Sequence, residues 1–200
     1  VAVIHAFRMP VFFILAGFFV SLLVHRRGLT GMVRHRLRRL GLPFVVFWPP
    51  LFAASALLGL AFLHRMAHGT WGLDRSLMPQ STTVTTGPNT MHLWFLWMLL
   101  WLAMLTPLLW AAVRALPASL QHALGRFVAW LGGTPLGIVV LTLPLAWIGA
   151  GYDHGIVTPN GSFLPPLAEW LHNGLFYGFG LCLYAQQKTL MARYERHWPM

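Results

Sequence analysis

The sequence contains few charged residues, and acidic ones are the scarcest. Only 9% of its 200 residues are charged and four are Asp or Glu, while 57% are hydrophobic. Because an ordinary soluble domain has roughly 25% charged residues, a soluble protein could not hide this much apolar surface. The composition excludes an ordinary soluble enzyme. It predicts an all-α fold, a polytopic helical bundle integral to a membrane.

Several chemical signatures are also missing. The single cysteine, Cys182, cannot form an internal disulfide, and its small and apolar neighbours favour a helix-packing face over a reactive thiol. The chain has no Gly-rich phosphate loop and no Gly-x-Ser-x-Gly nucleophile elbow. We predict no metal site, because His5 and His92 do not make a convincing ligand set.

Five apolar stretches approach the length of about 20 residues that a helix needs to cross a hydrocarbon core. The fourth is the weakest, since Gly132-Gly133-Thr134-Pro135 interrupts it. We predict that residues 1–200 are part of one transmembrane domain. Its helices are expected near 10–25, 42–63, 92–113, 127–148 and 167–185.

Prolines predict where these helices begin or bend. Pro10 favours a helix that starts at Pro10 itself, which leaves His5 and Arg8 just outside it. Pro43 and the pair Pro49-Pro50 predict an irregular turn or a kink in the second helix. Pro107 predicts a kink near the end of the third.

Basic residues give the chain a net charge of +10, which in a soluble protein would suggest nucleic acid. They lie between apolar runs, so we predict the lipid bilayer as a partner and no nucleic acid. Eleven fall on one side of the predicted helices, and three, Arg8, Arg65 and Arg75, on the other. The basic loops should therefore be cytoplasmic and residues 1–8 outside. This orientation predicts one helix, or another odd number, upstream of Val1.

Polar side chains meet apolar runs at two places on the predicted outer side. His5 and Arg8 precede the first run and His92 precedes the third. Together they could supply a general base and an anion-stabilising charge for acyl or phosphoryl transfer. The alternative is an interfacial histidine, a topology anchor and a helix-start residue beside belt tryptophans. Trp94 could likewise stack on a sugar or serve only in packing.

The basic loop between the first two helices contains an apolar pattern. Leu29, Val33, Leu37 and Leu40 recur at helical spacing, which predicts a segment lying in the membrane interface. Arg36 falls within this stripe, where a purely topological charge is not expected. The loop is either a positive-inside anchor or a docking patch for a phosphorylated donor, because arginine forks match phosphate oxygens.

Three motifs, in this order, resemble the membrane acyltransferase 3 family and most closely its glucan biosynthesis protein C branch. A weaker likeness continues through Pro159-Asn160-Gly161 into the fifth helix. The motifs are His5-x-Phe7-Arg8-Met9-Pro10-x-Phe12-Phe13-x-x-x-Gly17-Phe18-Phe19, Arg36-x-x-Arg39-Leu40-Gly41-Leu42-Pro43 and His92-Leu93-Trp94-Phe95-Leu96.

The resemblance implies a bacterial inner-membrane enzyme without a bound cofactor. It moves an acyl group, such as succinyl or acetyl, from cytoplasmic acyl-CoA to a periplasmic glucan or other glycan. The implied catalytic residues are His5, Arg8 and His92, and the implied substrate-binding residues are Arg36, Arg39 and Trp94.

The family's first helix, which carries an arginine and a histidine, has no counterpart here, and neither do its later helices. We therefore expect the favoured base to lie upstream and this piece alone to be inactive. The alternative function is a transporter or channel subunit with an intramembrane His and Arg path for protons or anions. We see no internal repeat of the kind transporters usually show.

Overall fold

The computed structural model describes residues 2–74, 89–152, 157 and 159–197, and it describes no side chains for 2–7, 135, 138 and 188–197. These residues form helices and no strand, which confirms the predicted all-α class. The elements are α1 (Ala2–Arg36), a π-helical turn (Leu37–Gly41), α2 (Leu42–His68), a 3₁₀ turn (Met91–Leu93), α3 (Trp94–Ala115), α4 (Ala118–Gly133), α5 (Pro135–Gly149) and α6 (Leu167–His197).

Two stretches of the described chain are long and apolar enough to cross a membrane. They are Arg8–His68, which includes α1 from Arg8 onwards and all of α2, and Met91–Ala115, which includes α3; Val139–Gly149 is apolar but shorter. The structure thus supports a membrane protein. The count of five spanning helices stays a prediction.

Gly28 breaks α1 into two arms. Its φ of 71° and ψ of 174° are not helical, and this backbone region is open essentially to glycine alone. After Gly28 the chain reverses its direction. The contact of the Arg36 guanidinium with the carbonyl of Ala16, 20 residues earlier in the chain, shows this reversal. The basic segment therefore packs against the helix that precedes it, with Met32 fully buried and Leu29 and Val33 against the core.

Three helices, α1, α3 and α6, run parallel and enclose the core. Phe13 packs on Phe95 with ring centroids 5.1 Å apart, and further along both helices His25 packs on Trp110 at 5.8 Å. The pairs Trp101–Trp170 and Thr106–Tyr177 follow the same order on α3 and α6. All three helices therefore begin at one end, the N-terminal end of the bundle. The buried core consists of Phe13, Val20, Val24, Met32, Met98, Leu99, Leu102 and Tyr177.

Two glycines bring the backbones of α1 and α6 into contact. A Cβ at Gly17 would overlap the carbonyl of Tyr177, and one at Gly180 would overlap the carbonyl of Ile14. Small residues at such crossings are typical of helix pairs in membranes, where close backbone packing replaces the hydrophobic effect. The predicted packing face around Cys182 thus includes this α1–α6 contact at Gly180.

Some of the sequence-based helix boundaries are wrong. α1 begins at Ala2 and continues through Pro10, so His5 and Arg8 lie inside it. A proline removes one backbone hydrogen bond, but ending a helix within lipid would leave several groups unsatisfied. The irregular turn expected at Pro43 lies just before it, in the π-helical residues, and α2 continues through Pro49 and Pro50.

The predicted helix at 127–148 is also wrong, because α4 and α5 are separate helices. They meet at Thr134, whose backbone is extended and whose Oγ1 accepts a hydrogen bond of 3.0 Å from the amide of Gly137. This is a helix N-cap with Pro135 at the first helical position, which starts a new helix rather than bending an old one.

Candidate functional site

A cavity of about 400 Å³ lies between the two arms of α1. Its formation depends on Gly28, because only the reversal of the chain brings the second arm beside the first. We call it the arginine cavity. Its apolar lining is Ala16, Phe19, Leu22 and Leu23, and its basic lining is Arg26, Arg27, His35, Arg36 and Arg39.

Arg36 lies deepest in this lining. Its Nη2 donates to the Ala16 carbonyl at 3.5 Å, while its Nε and the Nδ1 of His35 are buried without a hydrogen-bond partner in the described residues. None of the described residues that line the cavity is acidic. Four guanidinium groups without a carboxylate repel one another, so the cavity is suited to an anion.

Arg36 and Arg39, the predicted donor-binding residues, both line the cavity, together with Arg26 and Arg27 of the same basic loop and with His35. Arg26 and Arg27 end the first arm of α1, and His35 precedes Arg36 on the second. Their clustering depends on the reversal at Gly28. In the sequence, the sign of that reversal is a glycine within a helical pattern, which is compatible with either a helix or a turn.

The predicted outer-side residues lie at the N-terminal end of the bundle. Arg8 and His92 are both exposed, and each precedes by about one turn a phenylalanine of the Phe12–Phe95 contact, whose centroids are 5.9 Å apart. The backbone of His5 lies one turn before Arg8, and its side chain is outside the described part of the chain. The joint site of these three residues stays a prediction.

Trp94 is partly buried against the core, with its ring 6.0 Å from that of Phe95. This position fits the packing interpretation, and its role as a sugar platform stays a prediction.

A loop between α5 and α6 is joined to the start of α3. The amide and hydroxyl of Thr90 both donate to the carbonyl of Gly161, at 2.6 and 2.8 Å. The indole of Trp97 donates to the carbonyl of Phe163 at 2.8 Å. These bonds hold the loop over the residues that immediately precede His92.

Glu169 holds the same loop from α6. Its Oε1 accepts a hydrogen bond of 2.7 Å from the amide of Asn160, and the residue is only 3% exposed. Burial raises the pKa of the nearby Tyr152 hydroxyl, and the Glu169 carboxylate raises it further. Sequence reasoning missed Glu169 as a site residue, although an acid in an apolar helix is a usable signal.

Two histidines at helical spacing lie near the end of α2. His64 and His68 lie one turn apart with ring centroids 4.6 Å apart, and His64 Nδ1 is 2.9 Å from the Thr70 carbonyl. The i, i+4 spacing of this pair is visible in the sequence. No group of three or more potential metal ligands exists in the part of the chain that is described, and the absence of a metal site stays a prediction.

The comparison with protein families identifies the class to which these features belong. The family model described as Acyltransferase domain (Acyl_transf_3) matches residues 1–200, so the chain belongs to this acyltransferase family. Together with the apolar helices, the match identifies it as a membrane acyltransferase domain. Neither a curated protein nor a solved structure matches the chain.

Proposed function

We propose that the chain is part of an O-acyltransferase of the bacterial inner membrane. It takes an acyl group, such as succinyl or acetyl, from cytoplasmic acyl-CoA and passes it to a periplasmic glucan or another glycan. The observation that carries this proposal is the arginine cavity, whose lining combines apolar and basic side chains.

The chemistry of acyl-CoA matches both the basic and the apolar residues of this lining. Its phosphate groups suit guanidinium forks, which bind two oxygens at once. Its pantetheine arm and acyl group suit the apolar side chains of Ala16, Phe19 and Leu23. The volume of about 400 Å³ lies within the usual range for small-molecule sites, roughly 300–1,000 Å³.

The position of the cavity along α1 supports one orientation of the donor. From Arg26 to Ala16 the cavity follows the helix for about 15 Å, and Arg8 lies about 12 Å further along the axis, at 1.5 Å per residue. With its phosphates among Arg26, Arg27, Arg36 and Arg39, the donor directs its acyl end towards Arg8 and His92.

In the reaction, the acceptor hydroxyl oxygen attacks the thioester carbonyl. A C–O bond forms, the C–S bond breaks, and CoA leaves as its thiol after receiving a proton. We assign His5 and His92 to proton handling near the hydroxyl and Arg8 to stabilising the oxyanion. In this proposal these three residues support the catalytic base rather than act as the base themselves.

The test is a double variant, Arg36→Gln with Arg39→Gln, in the full-length protein that contains this chain. Hydrogen bonds to charged groups contribute about 1.5–3 kcal/mol each, so we expect donor affinity to fall about 100-fold or more. Direct binding of labelled acyl-CoA to the reconstituted protein measures this affinity.

Arg126→Gln is the matched control, because Arg126 is an exposed arginine that lines a different cavity, between α4 and α6. It should leave donor affinity unchanged. Unchanged affinity in the correctly inserted double variant would remove Arg36 and Arg39 from the donor site. Inverted topology would instead support their role as anchors.

A further inference from the structure

Glu169 is a buried carboxylate at the start of α6, and its hydrogen bond leads to a loop outside that helix. It lies in the first turn of α6 and is 3% exposed. Burying a carboxylate costs several kcal/mol unless hydrogen bonds or charges compensate it. The compensating hydrogen bond described here comes from the amide of Asn160, at 2.7 Å. The carboxylate therefore connects the start of α6 to this loop.

The residue after Asn160 transmits this constraint to α3. Gly161 has a φ of 73°, and its carbonyl accepts both hydrogen bonds from Thr90. Thr90 is completely buried. Three hydrogen bonds and the covalent link from Asn160 to Gly161 thus connect the Glu169 carboxylate with the backbone just before His92.

Met91 shows why the connection is needed. Its φ is 47°, the one positive value of a non-glycine residue in the described chain. Such a conformation costs on the order of 1–3 kcal/mol and persists only where neighbouring contacts hold it. Thr90 supplies those contacts on one side, and its carbonyl accepts the amide of Leu93 at 2.9 Å on the other. His92 lies within this constrained turn.

We propose that Glu169 is a positioning residue for His92. It holds the Asn160–Gly161 loop on Thr90, and the loop keeps Met91 in its strained conformation, so that the imidazole of His92 faces the N-terminal end of the bundle in one orientation. This inference rests on the proposed function for the catalytic importance of His92. It has a test that does not depend on activity.

The test is hydrogen–deuterium exchange of the full-length protein in lipid nanodiscs, measured on a peptide covering 89–97. In Glu169→Ala the Asn160 amide loses its acceptor, and we expect exchange at Thr90 to Leu93 to accelerate about tenfold or more. Glu169→Gln keeps an acceptor oxygen and should restore slow exchange. Peptides from the α1–α6 contact should be unchanged in both variants.

Two more variants sharpen the result. Ser162→Ala is the matched control, because Ser162 Oγ donates to Leu164 within the same loop and makes no described hydrogen bond to α3 or α6. It should leave the peptide unchanged. Thr90→Val removes one of the two contacts from the α3 side and should accelerate exchange locally even if Glu169→Ala does not fold. Exchange at 89–97 that stays slow in both Glu169→Ala and Thr90→Val would overturn the proposal.

Transfer kinetics on the same proteins separate this inference from the function. We expect Glu169→Ala to lower kcat with the donor KM unchanged, and Glu169→Gln to recover kcat. Accelerated exchange with unchanged kcat would overturn the positioning role. If the wild-type protein transfers no acyl group from acyl-CoA, the proposed function fails, and the exchange data still decide whether Glu169 orders the turn around His92.

Discussion

Replacing Gly28 with alanine should weaken donor binding without touching any cavity residue. A Cβ at Gly28 meets nothing within 4 Å, so the substitution causes no steric overlap. Its cost comes from the backbone alone, because φ of 71° with ψ of 174° is a region that side chains disfavour by about 1–3 kcal/mol. Alanine therefore disfavours the reversed arrangement of the two arms by about 2 kcal/mol, with the straight helix as the competing state.

This free-energy cost lowers the apparent affinity of the protein for the donor. If the straightened state lacks the arginine cavity and becomes the dominant one, donor affinity falls in proportion to the remaining reversed fraction, up to about 30-fold for 2 kcal/mol. The assay is acyl-CoA binding to the full-length protein in nanodiscs, combined with a distance measurement between spin labels on the two arms. Gly59→Ala is the control. Its Cβ also meets nothing within 4 Å, but Gly59 lies in α2 without a positive φ. Wild-type affinity and wild-type arm distances in Gly28→Ala would refute the reasoning.

Gly180→Ala should separate α1 from α6, because the added Cβ overlaps the Ile14 carbonyl, whereas Gly178→Ala, whose Cβ meets nothing within 4 Å, should be tolerated. Thermal unfolding of the reconstituted protein would decide this, and equal unfolding temperatures would contradict the close contact. The 200-residue chain expressed alone should insert but not transfer acyl groups, since loss of a general base removes about 10² to 10⁴ in rate. Labelled acyl-CoA and a glucan acceptor test this in membranes, and turnover near that of the full-length protein would identify His5 or His92 as the working base.

The helical class and the partly buried position of Arg36 could be predicted from the sequence because both depend on local pattern. Composition alone indicates apolar helices, and an arginine within an apolar stripe indicates a partner inside the protein, as the half-buried Arg36 shows. The expectation for Pro10 failed because proline rules derive from helices in water, where a terminated helix is solvated. In an apolar helix the remaining backbone groups favour continuation.

The remaining errors concern features that only distant contacts determine. In the sequence, Gly28 is an isolated glycine that is compatible with an ordinary helical conformation. Its positive φ becomes apparent only together with the contact between Arg36 and Ala16. Glu169 is a single acid whose partner, Asn160, lies in a loop with no regular pattern. Thr134 is an exception, because its hydrogen bond from the Gly137 amide is local and a threonine directly before Pro135 is itself a helix-start pattern.

The parallel arrangement of α1, α3 and α6 has a consequence for synthesis. The residues that line the arginine cavity lie between positions 16 and 39, so the cavity can form once α1 and the π-helical turn have left the ribosome. The contact of Thr90 with Gly161 joins residues 71 positions apart, and Glu169 is made later still. We therefore expect the donor side to assemble early and the His92 side to be completed only after α6 has been inserted, because distant contacts form last. A nascent chain stopped before α6 should already bind the donor and yet hold no ordered turn at His92.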